Sequence, residues 1–385
     1  MKDKKKILIC IDWYVPGFKA GGPIRSVSNI VNAFKDEFDI YILTSAYDLG
    51  ETEAYPDVEL NLWHEQEGVF IKYLERKLMN ASAMTDNIKE VKPDVLYLNS
   101  LFSRVFTLIP LAVARKRKIK TILAPRGMMG KGALGIKYRK KKYFIRIAKF
   151  LGWYKHVIWH ASTESEKNEI ILNFGKKANV SIAQNIPLSQ TIDLVDILNR
   201  KKTGKVKFVY ISRIAKVKNL HLAIEAIRKI KSDVVVEFDI YGNIEDKDYY
   251  KTFDKEIKKY KSVAIQYKGV LNPNTIANVY ADADFMILPT MHENYGHAIV
   301  EAWSNGCPVI ISKNTPWKNL RIQDLGWDVN IDEGLEGLTS AIQEGVDLDF
   351  TSYIQMVRAS YNYFTNKICD DHVVDANRKM FNDAI

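Results

Sequence analysis

The sequence predicts an α/β protein made of two successive domains, each built on a parallel sheet. Short apolar runs alternate with amphipathic helical segments along most of the chain, the pattern of parallel strands joined by crossover helices. At 385 residues the chain is too long for one ordinary core and about right for two. The alternation lapses between residues 185 and 204 into polar and turn residues, which puts the domain boundary there.

In the first half, KILICIDWY reads as a buried strand. A loop with Gly21 and Gly22 follows, then an amphipathic helix over 24–34 and the strand FDIYILTS. The turn signal Lys92-Pro93-Asp94 precedes the strand VLYLNS. Residues 115–120 end a basic helix, TILAPRG is a further strand, and VIWHAST closes the series. Thr163 then offers a helix cap, with Glu166 three residues on as its capping-box partner. The second half repeats the rhythm. Its strands are KFVYIS, VVVEFDIYG, VAIQYKG, DFMILPT and CPVIIS, and helices are expected over 220–230, 249–260, 276–281 and 297–304.

Composition excludes several classes. Hydrophobic residues make up 47% and charged residues 26%, as in a globular protein rather than a disordered one. Cys10, Cys307 and Cys369 lie far apart, and no Cys/His spacing suggests a metal site. Three thiols cannot all pair with one another, so a reducing cytosol is the simpler setting. The basic start MKDKKK soon meets Asp12 with no cleavage site after it, which reads as a first strand and not a signal peptide. The longest apolar run, 105–114, is too short to span a bilayer.

The net charge of +10 is unevenly placed. From Val95 to Thr163 there are 16 Lys/Arg and no Asp or Glu, so the remainder carries 40 basic residues against 46 acidic ones. An acid-free block of this kind suggests an anionic partner surface, membrane or nucleic acid. Within it, residues 137–154 include a stripe of Phe144, Ile147, Ala148 and Leu151 beside a stripe of Arg139, Lys142, Arg146 and Lys149. A basic amphipathic helix with interfacial aromatics suits an anionic membrane surface. An ordinary helix packing its apolar side on the domain gives the same pattern, and the two readings are compatible. The block lacks a recognised nucleic-acid reading module.

The chemistry is concentrated in the second half. The run HENYGHAIVEA, from His292 to Ala302, follows a strand ending in Leu288-Pro289-Thr290 and opens a helix. Gly296 permits close approach of backbone to a ligand, and the helix behind it aims free amides at an anion. Glu301 lies roughly 7–8 Å further along the helix axis. Upstream, Arg213 and Lys218 stand just past the end of the strand KFVYIS, where two cations can neutralise a diphosphate leaving group.

The 292–302 run resembles the E-x7-E motif of retaining glycosyltransferases of the GT-B fold, family 4, also called group 1. The segment 210–220 is similar to that family's strand–Arg–x4–Lys element. The resemblance implies two Rossmann-like domains with parallel sheets facing across a cleft. Residues 1–185 would form an acceptor-side domain and 186–373 the nucleotide-sugar donor domain, and 374–385 a helix crossing back to the first. Arg213 and Lys218 would serve the diphosphate. Glu293 would reach the sugar, with Asn294, Tyr295, Gly296 and His297 around the donor, and Glu301 would accept bonds from ribose hydroxyls. Gly242, Gly269 and Val270 would meet the nucleotide, although Gly269 in a strand-ending turn is equally an ordinary feature. Pro16 and the Gly21-Gly22 pair are similar to the family's glycine loop beside the donor phosphate and acceptor.

Where the family often has a histidine near the reacting sugar, this sequence has Ala124-Pro125-Arg126-Gly127. Arg126 is a candidate for that place, and a structural salt bridge is the equal alternative. His160 ends the next strand, as a core histidine or an acceptor-side group. Asp282 and Asp284 spell D-x-D, but between a short helix and a strand start, where metal binding is not expected. No metal or other cofactor is implied.

The implied partners are a nucleotide-sugar donor, a saccharide or lipid-linked saccharide acceptor, and the inner face of an anionic membrane, with no nucleic acid. The place implied is cytoplasmic and peripheral to that membrane, in surface-polysaccharide synthesis. A sugar-nucleotide epimerase or a phosphorylase could use the same fold. An epimerase would need acid/base groups around the sugar C2, and no second set is seen.

Overall fold

The computed structural model describes residues 4–130, 138–187, 191–257 and 264–385. The chain divides into two compact units, Met1–Ile186 with Asp371–Ile385, and Pro187–Asp370.

The first unit is an 8-stranded sheet in the order β3-β4-β2-β1-β5-β6-β7-β8. Its strands are β1 (Lys6–Ile11), β2 (Asp39–Ser45), β3 (His64–Gln66), β4 (Val69–Leu74), β5 (Val95–Asn99), β6 (Lys120–Ala124), β7 (Val157–Ala161) and β8 (Asn179–Ile182). Only the β3–β4 pair is antiparallel. The period of two sorts each central strand onto both faces. Ile7, Ile9 and Ile11 of β1 join one core with Val95 and Tyr97, while Leu8 and Cys10 join the opposite core with Leu96 and Leu98. The helices are α1 (Gly22–Phe34), α2 (Ala81–Val91), α3 (Ile109–Arg117), α4 (Tyr138–Phe150) and α5 (Glu164–Phe174).

The C-terminal helix, Asp371–Ala384, packs on the first of these cores. Phe381 is fully buried, with its ring 5.8 Å from Phe34, 6.1 Å from Phe38 and 5.4 Å from Tyr97. Asn377 donates to the Gln184 carbonyl at 2.8 Å, and Arg378 grips both oxygens of Glu37.

Two sequence expectations change here. The first-unit series does not close at VIWHAST, because β8 pairs in parallel beyond β7. Glu166 does not complete a capping box. Thr163 Oγ1 caps α5 by accepting from Glu166 N at 3.1 Å, but the Glu166 carboxylate turns inward to accept from Ser162 N at 2.8 Å and Gly127 N at 2.6 Å. A buried carboxylate is better placed on strand-end amides than on a solvated helix cap.

The stripe on α4 also divides. Ala148 and Ile145 are buried, Phe144 meets Phe102 and Trp153 edge to face, and Ile147 and Leu151 stand exposed with Tyr143 and Phe150. Phe150 is 90% exposed. Lys137 lies outside the described residues. Among the described residues, no helix is long and apolar enough to cross a membrane. The three cysteines are unpaired, with Cys10 and Cys307 buried and Cys369 exposed.

The second unit is a 6-stranded parallel sheet in the order β11-β10-β9-β12-β13-β14. The strands are β9 (Lys205–Ile211), β10 (Val235–Tyr241), β11 (Ala264–Gly269), β12 (Phe285–Leu288), β13 (Val309–Ser312) and β14 (Gly326–Val329). Helices α6 (Leu194–Arg200), α7 (Leu220–Ile227), α8 (Lys247–Ile257), α9 (Ile276–Asp282), α10 (His297–Ser304), α11 (Glu336–Asp347) and α12 (Phe350–Tyr363) surround it. The unit has one continuous apolar core, from Phe208 and Phe238 through Phe285 to Trp303.

Candidate active site

In open parallel sheets, ligands bind beyond the carboxyl ends of the strands, where the strand order reverses. In the second unit the chain runs from β9 outward to β10 and β11, then returns to place β12 on the other side of β9. The reversal lies between β9 and β12, and the loops after these two strands hold the sharpest sequence signals.

The two loops are tied together. Met291 N donates to the Val217 carbonyl at 2.8 Å, and Thr290 Oγ1 lies 3.2 Å from the same oxygen. Glu293 N donates to the Asn314 carbonyl at 3.1 Å, which fixes the far side. Across the reversal the Lys218 ammonium donates to the Glu293 carboxylate. Their side chains are only 10% and 15% exposed. Lys218 and Glu293, drawn from segments 75 residues apart, thus form one pair.

Gly296 caps α10 in the left-handed conformation, φ 82°, ψ 59°, and no side chain caps the helix. The left-handed backbone is what favours glycine there; a Cβ would lie 2.9 Å from Ile299 Cδ1, the movable end of a side chain. The preceding Tyr295 is anchored from behind. Trp317 Nε1 donates to its carbonyl at 2.7 Å, and its ring lies 5.1 Å from His297 and 5.7 Å from Trp317. The first turn of α10 carries no acid, leaving its amide end suited to an anion. Glu301 sits half-buried in the next turn, and Asn294 in the loop before the cap.

The remaining strand ends are laced by backbone. Gly242 N donates to the Gly269 carbonyl at 2.9 Å, and the Tyr267 hydroxyl donates to the Gly242 carbonyl at 2.9 Å. A Cβ at Gly242 would collide with the Ser212 carbonyl oxygen, so this close approach admits only glycine. Val270, beside Gly269, is 43% exposed. Arg213 pairs with Glu245, at 38% and 40% side-chain exposure. The two predicted cations therefore differ: Lys218 is buried and Arg213 is open.

The first unit has its own reversal, between β1 and β5. There the Ser103 hydroxyl donates to the Asp12 carboxylate at 2.6 Å. Burial raises the Asp12 pKa above the ordinary carboxylate value, the Ser103 bond partly opposing it. Asp12 was not singled out from sequence as a site residue; the available signal was an acid directly after a buried strand. The glycine loop follows: Gly21, φ 68°, caps α1, whose first residue is Gly22. Phe18 N and Lys19 N donate to Asp48 Oδ2 at 3.0 and 3.3 Å, which fixes the loop.

Arg126 and His160 belong to one internal network. Arg126 donates to Asn99 Oδ1 at 2.8 Å, Asn185 Oδ1 at 2.6 Å and the Tyr97 hydroxyl at 2.8 Å. His160 is 1% exposed, with Nδ1 2.8 Å from the Tyr97 hydroxyl and Nε2 2.8 Å from the Ala183 carbonyl. A carbonyl only accepts, so Nε2 carries the proton and Nδ1 accepts from Tyr97. Burial, then the Arg126 charge, depress the His160 pKa to about 3, which keeps the ring neutral. These contacts give both residues a structural task.

The D-x-D carboxylates are likewise engaged. Asp282 pairs with Arg200 at 3.1 Å, and Asp284 accepts from Lys207 N and the Tyr353 hydroxyl, both at 2.7 Å. Among the described residues, no three His, Cys, Asp or Glu side chains gather as a metal site.

Residues 196–320 match the model of the family Glycosyl transferases group 1. A curated relative, Uncharacterized glycosyltransferase MJ1607 of Methanocaldococcus jannaschii, is 25% identical over 104 residues, 27% of this chain. The match spans about a quarter, 26%, of that relative's length. Among solved structures, Anabaena Alr3699/HepE in complex with UDP-glucose superposes with TM-score 0.72 at 15% identity, covering 98% of each chain. Sucrose-phosphate synthase from Thermosynechococcus elongatus gives TM-score 0.73 at 13% identity, covering 99% of each chain. WaaG, a glycosyltransferase involved in lipopolysaccharide biosynthesis, gives 0.70 at 12% identity over 97% of this chain and 99% of its own. The fold is GT-B, and residues 196–320 of the second unit are similar to group 1 glycosyltransferases.

Proposed function

We propose that this protein is a retaining glycosyltransferase of family 4 that moves a sugar from a nucleotide-sugar donor to a lipid-linked saccharide at the inner face of the cell membrane. The observation that carries the donor half is the Lys218–Glu293 pair set across the strand-order reversal, beside the glycine-capped amide end of α10. Lys218 and Arg213 neutralise the departing diphosphate, a charge stabilisation that needs no proton from the protein. The amides at Gly296 and His297 receive phosphate oxygens. Glu293 holds the sugar and Glu301 the ribose hydroxyls, while Gly242, Gly269 and Val270 give backbone and surface to the base. In the first unit, the Gly21-Gly22 loop and Asp12 receive the acceptor. The donor phosphate assists deprotonation of the acceptor hydroxyl, so no protein nucleophile takes part.

Two further points support the membrane and saccharide half. The helix α4 sets exposed Tyr143, Ile147, Phe150 and Leu151 among Lys140, Lys142, Arg146 and Lys149. A structural neighbour, WaaG, is involved in lipopolysaccharide biosynthesis. No divalent cation is needed in this scheme. Activity lost in EDTA and restored by Mn²⁺ would overturn that point.

A thermal-shift panel of nucleotide sugars tests the donor half, with UDP-glucose first because HepE holds it. A donor present at about 100 times its Kd stabilises the protein by about 2.7 kcal/mol. A panel in which no nucleotide sugar raises the melting temperature sinks the donor reading.

A further inference from the structure

At the edge of the first-unit sheet opposite the strand-order reversal lies a pocket of about 710 Å³. It opens at the amino ends of β6, β7 and β8, through Lys120, Thr121, Val157 and Asn179. Its floor is apolar, from Leu111, Ala114 and Ile119. Its walls carry Arg115 and Lys118 from the end of α3, Lys120, and Lys155 with His156 from the turn before β7. Among the described residues, none of these basic side chains is ion-paired or hydrogen-bonded to an acid, and the Val95–Thr163 block holds no acid at all.

Like charges gathered round one cavity repel one another and call for an anion. The α3 C-terminus accounts for part of the clustering, since cations there favour the helix dipole. It does not account for Lys120, Lys155 and His156, which come from other elements.

A second observation says where the anion comes from. Trp153 lines the pocket, and its ring lies 5.9 Å from Phe144 of α4. One turn of chain before it stand Phe150, 90% exposed, and Leu151, 49% exposed, with Ile147 and Tyr143 also exposed on the same helix. An exposed apolar edge next to a cationic cavity rimmed by tryptophan matches the layering of a bilayer surface, acyl boundary beside headgroups.

We propose that this pocket binds the phosphate-bearing headgroup of an anionic phospholipid, with the exposed face of α4 entering the acyl boundary beside it. The proposal rests on the membrane reading above and adds a discrete headgroup site to it. It lies at the sheet edge away from Asp12 and Gly21, so occupancy there does not compete with an acceptor at the reversal.

The test is sedimentation with vesicles of equal parts phosphatidylglycerol and phosphatidylcholine, against phosphatidylcholine alone. Each basic residue near an anionic surface contributes about fivefold in partition. The pair Lys118→Gln with Lys155→Gln is expected to lower partition onto the anionic vesicles on the order of 25-fold. The pair Lys116→Gln with Arg117→Gln removes the same charge outside the pocket and is expected to lower it less, because charges held further from the headgroups are screened. All four side chains are exposed, so both variants keep the fold, which circular dichroism verifies.

Equal losses in the two pairs overturn the pocket and leave a diffuse charged surface. Binding abolished by Phe150→Ser with Ile147→Ser but kept by the pocket pair overturns the pocket while the membrane reading stands. A wild-type protein that ignores anionic vesicles overturns both. Inorganic phosphate and glycerol 3-phosphate are run alone as the soluble arm. If either raises the melting temperature of the wild type and not of the pocket pair, while vesicle binding shows no pocket dependence, the source is a soluble phosphate and the lipid assignment is wrong.

Discussion

Replacing Lys218 and Arg213 separately by methionine should separate chemistry from stability. Both are assigned to the diphosphate, but their surroundings differ. The Lys218–Glu293 side chains are 10% and 15% exposed, so Lys218→Met leaves a mostly buried carboxylate without its cation. Breaking a buried pair from one side costs about 3–5 kcal/mol, and the residual exposure puts this one near ~3 kcal/mol. For a domain of this size that is a fall of roughly 6–12 °C in the second-unit transition. The Arg213–Glu245 side chains are 38% and 40% exposed, and exposed pairs contribute about 0–1 kcal/mol. Arg213→Met should therefore move the transition by no more than about 4 °C. Both variants should lose about 100-fold in turnover, assayed well below either transition, as when one preorganised donor is removed. The double variant Lys218→Met with Glu293→Gln should recover at least half of the lost melting temperature, because a neutral amide no longer needs the cation. Scanning calorimetry on the wild type, the singles Lys218→Met, Arg213→Met and Glu293→Gln, and the double gives the answer. If Lys218→Met and Arg213→Met melt together, or if the double loses the sum of the singles, the pair does not hold the loop.

Three further outcomes follow from the same geometry. Glu301→Gln should weaken binding of the product nucleoside diphosphate about tenfold, the scale of one charge-assisted hydrogen bond, while Glu293→Gln leaves it nearly unchanged and depresses transfer; titration calorimetry with the diphosphate separates the two, and equal losses refute the division. Glu169 is pushed up to about 7, by burial first and then by the neighbouring Glu166 charge. The native state thus binds a proton that the unfolded chain releases near pH 4.5, and stability falls as pH rises from there to about 7. Glu169→Gln should match the wild type near pH 4, gain on it through that window and stay ahead above it; thermal melts whose difference is flat with pH would count against the burial. Phe381→Ala, which empties a fully buried site under Phe34, Phe38 and Tyr97, should cost about 3–5 kcal/mol and lower the first-unit transition by about 10 °C, whereas removing Ile385 alone should do little.

Much of the segment from 290 to 304 was legible in the sequence because its signal is local. The glycine at 296 and the apolar spacing after it set a helix that begins at His297 and ends at Ser304, as the residues imply. Two edge strands, β8 and β14, were not legible. The strand β8 has four residues with partly exposed side chains, and β14 is as short, so neither carries an apolar run to detect. The strand β4 and helix α2 follow a polar stretch that hides their alternation. Glu166 shows the limit for side chains. Its spacing from Thr163 satisfies the capping pattern, but the spacing cannot tell that Gly127, 39 residues away, offers a buried amide to the same carboxylate.

What neither periodicity nor motif spacing contains is the strand order, and the order is what makes the site. In the second unit β12 returns to the side of β9, and this alone brings Glu293 to Lys218. In the first unit β5 returns to the side of β1, and the same step brings Ser103 to Asp12, 91 positions apart. Each unit thus places one acid against a donor on the neighbouring loop, at the point where a parallel sheet opens to ligand. The two pairs are not equivalent. Lys218 is a full charge, and its partner is a mostly buried carboxylate. Ser103 offers only a hydroxyl, and burial raises the Asp12 pKa, so this acid holds its proton to higher pH. The acid of the second unit is therefore held in an ion pair, and the acid of the first unit by a neutral hydroxyl donor.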